Sequence, residues 1–136
     1  MASVDAFTGY ADKTSGVIID LAARLLSGSL LGAIREHVAF ADTTLRELVA
    51  IGQRAAHGRI YLPLDLLQQF GADPAELLAG HANAELRAAI ANLALRARGH
   101  LDRAETMLPQ VDATALPALL PLAGARRRLR RLEQSA

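Results

Sequence analysis

Apolar residues recur at three- and four-residue spacing along nearly the whole chain, and no stretch alternates with the period of two that a half-buried strand requires. A first helix is predicted from a Thr14-Ser15 cap to about Gly28. Val17, Ile18, Ile19, Leu21, Leu25 and Leu26 make it apolar almost all round, the pattern of a helix with neighbours on several sides. Gly28-Ser29-Leu30-Leu31-Gly32 breaks it at a helix–helix corner. A second helix places Ile34, Val38, Ala41, Leu45 and Leu48 on one stripe and fades near Gly58. Pro63 opens a short helix that Gly71 closes, and Asp73-Pro74 caps and starts another. The longest helix is predicted over about 84–108, with Leu86, Ile90, Leu93, Ala97, Leu101, Ala104 and Leu108 buried. After a loop at Pro109, a last helix starts near Ala113, bent by Pro117 and Pro121. The fold class is all-α, with residues 1–136 in a single domain.

Composition narrows the chemistry. A chain of 136 residues that is 51% hydrophobic can bury a sizeable core. A net charge of +1 gives no reason to expect nucleic acid as a partner. The absence of cysteine removes disulfides, thiol catalysis and Cys-ligated zinc. Lys13 is the one lysine among many arginines, which reads as compositional bias. The first residues do not form a secretory signal, and no run reaches the roughly 20 apolar residues of a spanning helix. These features predict a cytoplasmic protein, with contact at the inner membrane as a further expectation.

The chemistry-bearing segment is Gly58-Arg59-Ile60-Tyr61-Leu62-Pro63. It resembles the Gly-Arg-(Ile/Val/Leu)-Tyr-Leu-Pro signature of the squalene/phytoene synthase family, whose members join two prenyl diphosphates head to head. Tyr10-Ala11-Asp12-Lys13-Thr14-Ser15-Gly16, the alanine-rich helix ending in Leu101-Asp102-Arg103-Ala104, and Leu116-Pro117-Ala118-Leu119-Leu120-Pro121 extend the resemblance. It implies a helical bundle like the C-terminal half of the isoprenoid synthase fold. Active members carry an Arg-Asp-x-x-Glu-Asp metal-binding run just before the signature. The same register here reads Val49-Ala50-Ile51-Gly52-Gln53-Arg54, so Ala50 and Arg54 stand where two aspartates would hold Mg²⁺. No Asp-x-x-x-Asp or Asp-x-x-x-Glu spacing replaces them, and Asp42 and Glu47 lie five apart on the preceding helix. The stretch Leu48–Gly58 also resembles a non-catalytic branch of the family that includes mitochondrial complex I assembly factors, although Val49 replaces that branch's arginine and Gly52 its proline.

Catalytic and metal-ligating residues are therefore expected to be absent, and no cofactor is expected. Mg²⁺ enters only if the chain is half of a split enzyme. Arg54, Arg59 and Tyr61 are the candidates for gripping an anionic head and lining a prenyl cavity. The competing reading is that Arg59 and Tyr61 fix the loop. Arg126, Arg127, Arg128, Arg130 and Arg131 flank the apolar stripe Leu122, Ala125, Leu129 and Leu132, a pattern suited to an anionic membrane surface or to packing on the bundle. His37, His57, His81 and His100 show no helical metal spacing, and no hydrolase triad or phosphate loop is present. The function expected is a non-catalytic interaction or assembly subunit. The alternatives are a half-enzyme needing a partner chain, a prenyl-lipid carrier or sensor, and a remnant without function. Half a helical domain should expose an apolar face, covered by a second copy or a partner protein.

Overall fold

The computed structural model describes residues 3–28, 31–59, 61–81 and 83–135, and every regular element among them is helical. Helix α1 (Val4–Ala11), a π-helical stretch (Asp12–Gly16) and α2 (Val17–Ser27) run into one another without leaving helical backbone. The helix therefore starts earlier than the Thr14-Ser15 cap predicts. Its cap is Ser3, whose hydroxyl accepts the Ala6 N–H at 3.0 Å. The Thr14 hydroxyl donates instead to the Tyr10 carbonyl at 2.7 Å, and Ser15 is buried in a tertiary network. The α1 start is pinned by the Val4 N–H, which donates to Asp65 at 3.1 Å. Ser29 and Leu30 of the predicted corner lie outside the described residues.

Helix α3 (Ile34–Val49) is the centre of the bundle, packed against α7 (Ala84–Met107), α8 (Leu120–Ser135), the π-helical stretch and α1. Its predicted stripe, Ile34, Val38, Ala41, Leu45 and Leu48, is wholly buried. So are Ala39, Phe40 and Thr44 on its other sides, as a central position demands. Helix α7 lays Leu86, Ala89, Leu93, Ala97, Leu101 and Ala104 into the core, and the alanines let α3 approach closely. Ile90 and Leu108 are half-buried at the edge of that stripe.

Between α3 and α7 the chain makes three short helices, α4 (Ile51–Ala56), α5 (Leu64–Gln69) and α6 (Pro74–Leu78). Asp73 caps α6 by accepting the Ala75 N–H at 2.9 Å, with Pro74 at the first helical position as predicted. The C-terminal helix begins later than predicted. Pro117 sits in a 3₁₀ turn (Leu116–Leu119), and α8 starts at Leu120 with Pro121 in its first turn, where a missing N–H does no harm. Helix α2 also departs from expectation. Only Ile19 and Ala23 of its large apolar set are buried, so it has neighbours on one side rather than several.

Candidate functional site

The signature loop is built by capping and burial. Helix α4 ends in a Schellman motif: the Gly58 N–H donates to the Ala55 carbonyl and the Arg59 N–H to the Arg54 carbonyl, both at 2.9 Å. Gly58 has φ +69°, a left-handed conformation that a Cβ would strain. Leu62 and Pro63 are then driven into the core beside Leu66 and Leu67. Gly58, Leu62 and Pro63 thus each have a structural duty. Ile60 lies outside the described residues.

Arg54 and Tyr61 meet across this loop, with the guanidinium 4.9 Å from the ring centroid. Arg54 Nε is also 2.7 Å from the Glu47 carboxylate, an ion pair whose N–H does not aim at the oxygen. Glu47 is nearly buried, and desolvation raises its pKa despite the opposing charges of Arg54 and Arg46. Arg59 is exposed and joins Ala50, Gln53, Arg54 and His57 around an open hollow of about 300 Å³. The structure therefore brings the three candidate head-group residues into one neighbourhood. Arg54 is committed to Glu47 and Tyr61, whereas Arg59 faces solvent.

The other acid of α3 is committed as well. Asp42 is buried and 3.2 Å from both Arg46 and Arg128, and it accepts a hydrogen bond from the Ser15 hydroxyl at 3.2 Å. Ser15 in turn accepts from Arg46 at 2.6 Å. Because its one proton goes to Asp42, the neighbouring Thr43 hydroxyl at 3.1 Å is the donor to Ser15. This network ties the π-helical stretch to α3 and α8. Nearby, Arg35 holds both Asp12 and Asp20. None of this was visible in sequence, beyond the i, i+4 spacing of Asp42 and Arg46.

These contacts decide whether the residues fit Mg²⁺. A diphosphate-bound magnesium site wants several free carboxylate oxygens. Ala50 offers none, Arg54 is a cation, and Asp42 and Glu47 already face guanidinium groups. Among the described residues, no group of three or more His, Cys, Asp or Glu side chains could hold a metal ion. The donor set does not fit the ion.

Two further placements matter. His37 and His100, 63 residues apart in sequence, share a 2.8 Å Nδ1–Nδ1 hydrogen bond, and Phe40 packs on His100 with ring centroids 4.3 Å apart. One ring must donate and the other accept, so the two rings cannot both be protonated while the bond holds. Desolvation, then His37, Arg103 and Arg96, lower the pKa of His100 to about 4. Of the five C-terminal arginines, Arg126 pairs with Asp102 and Glu105, and Arg128 with Asp42. Arg127, Arg130 and Arg131 are exposed and form no ion pair among the described residues. No helix among the described residues is long and apolar enough to cross a membrane.

A family model described as squalene/phytoene synthase matches residues 1–136. No curated protein and no solved structure matches the chain.

Proposed function

This chain belongs to the squalene/phytoene synthase family, and we propose that it is a non-catalytic interaction or assembly subunit within it. One observation carries this reading. At the position where active members place a metal-binding aspartate, Arg54 lies between the buried Glu47, 2.7 Å away, and the Tyr61 ring. A cation there fills the site with an internal ion pair. The retained Gly58, Leu62 and Pro63 are accounted for by capping and core packing. Selection for a fold alone would keep them.

A subunit of this kind works through its surfaces. Helices α7 and α8 leave an apolar groove of about 770 Å³ between them, walled by Ile90, Ala94, Leu95, Leu129 and Leu132. A second copy or another protein chain covering that groove is part of the proposal. The alternative, a half-enzyme whose partner supplies every metal ligand, is favoured by the exposed Arg59 beside the Arg54 hollow, where a diphosphate has room to dock.

The test is thermal unfolding with farnesyl and geranylgeranyl diphosphate, each with and without Mg²⁺. A ligand that binds only the folded chain raises the midpoint with occupancy. The proposal expects no Mg²⁺-dependent rise. A rise that requires Mg²⁺ refutes it and restores the half-enzyme.

A further inference from the structure

Helix α2 presents an unusual surface. Ile18 and Leu25 are 68% and 80% exposed, and Val17, Leu21 and Leu26 are each about half exposed beside them. Together these five side chains open on the order of 600 Å² of apolar surface, the upper end for the largest patch on a monomer. The values also describe its shape. Side chains this exposed stand clear of their neighbours, so the patch is a ridge and not a groove.

The charges around the ridge are one-sided. Lys13, one turn before Val17, and Arg24, near the other end, are exposed and have no ion pair among the described residues. The two acids nearest the ridge, Asp12 and Asp20, are held by Arg35, and the exposed Asp5 lies about two turns before Lys13, beyond the end of the ridge. A second copy of the chain fits poorly. Set antiparallel, it brings Lys13 onto the partner's Arg24; set parallel, each cation meets its own copy. The occupant that suits a convex apolar ridge with cations at both ends is a fluid, anionic interface into which the helix can sink.

We propose that α2 docks this chain on anionic bilayer surfaces, with Ile18, Leu21 and Leu25 entering the acyl boundary and Lys13 and Arg24 at the head groups. This docking is independent of the metal chemistry discussed above, and each idea can fail alone.

The experiment is co-sedimentation of the full chain with vesicles of phosphatidylcholine alone and of an equal mixture of phosphatidylcholine and phosphatidylglycerol. The wild type should bind the mixed vesicles, weakly or not at all the neutral ones, and lose binding in high salt. The variant Ile18→Gln/Leu25→Gln changes only exposed positions and should keep its circular dichroism and unfolding midpoint. It should bind at least about tenfold more weakly, since each substitution removes an apolar side chain from the bilayer. Lys13→Gln/Arg24→Gln should lose about twenty-five-fold on mixed vesicles alone, each cation near the surface being worth roughly fivefold. Failure of the wild type to bind either vesicle overturns the proposal. So does undiminished binding by Ile18→Gln/Leu25→Gln, which would assign the membrane to another surface. Wild-type self-association that this variant abolishes overturns it too, because a second copy then covers the ridge.

Discussion

Replacing Arg54 with methionine removes the charge that faces Glu47 while keeping most of the stem that covers Tyr61. An exposed pair is worth about 0.2–1 kcal/mol, whereas stripping the partner from a fully buried charge costs about 3–5 kcal/mol. This pair lies between those limits: the Glu47 side chain is 9% exposed and that of Arg54 39%. Loss of the stacked guanidinium adds about 0.5–1 kcal/mol. We expect Arg54→Met to destabilise by about 2 kcal/mol, read as a lower urea midpoint at unchanged slope. Glu47→Gln leaves the arginine partly solvated, so it should cost less, and the double variant should recover part of the loss. A coupling of about 1–2 kcal/mol in the double-mutant cycle identifies the pair as the arginine's employment. The pH dependence supplies a second sign. Burial already raises the Glu47 pKa, so its native state holds the proton more tightly and its contribution falls as pH rises through the folded pKa. Without Arg54 that pKa rises further, and the loss of stability should extend to higher pH. A variant within about 0.5 kcal/mol of wild type, with no coupling to Glu47, would refute the argument and free Arg54 for a ligand.

Other expectations are as direct. Ser15→Ala takes a donor from the buried Asp42 and an acceptor from the buried Thr43 hydroxyl, so it should destabilise by about 1–3 kcal/mol by urea unfolding. Leu45→Ala opens a cavity at a fully buried position of the central helix and should cost about 2–5 kcal/mol by the same measurement. The pKa of His100 falls from 6.5 to about 4. An unfolded chain therefore binds the extra proton first, and the contribution present above pH 6.5 is lost as pH falls toward 4. The unfolding midpoint should drop over that range, and His100→Phe should flatten the drop. A pH-independent difference between the two proteins would show that His100 is not the titrating group.

The parts of the fold that were legible in sequence are those governed by local rules. The α3 stripe from Ile34 to Leu48 and the Asp73-Pro74 start are encoded within a few residues, by periodicity and by capping. The start of the first helix was misplaced because Thr14 and Ser15 are cap-type residues whose hydroxyls serve elsewhere, one bonded back to Tyr10 and the other to Asp42. A π-helical stretch carries no apolar signature that would have shown the helix running through. The solvent exposure of α2 was hidden for a different reason. An apolar helix looks the same in sequence whether its neighbours are present or not.

The candidate site divides along the same line. That Ala50 and Arg54 carry no carboxylate is readable from the sequence directly, and so is the closeness of Arg59 and Tyr61 along the chain. Where the Arg54 charge goes depends on Glu47 and Tyr61 converging on it from two sides of a capped helix, which spacing alone does not specify. The His37–His100 pair and the Asp42–Arg128 contact join residues 63 and 86 apart, and only the packing of α7 and α8 on α3 creates them. The five C-terminal arginines look alike in sequence. The acids on α3 and α7 sort them into two that are paired and three that are not.

The most direct measurement of the central claim is release of inorganic pyrophosphate when the purified chain is incubated with geranylgeranyl diphosphate and Mg²⁺. With an arginine held against Glu47 in place of a metal-binding acid, release should not exceed that of a protein-free control. Pyrophosphate release that depends on both the chain and Mg²⁺ would contradict the account.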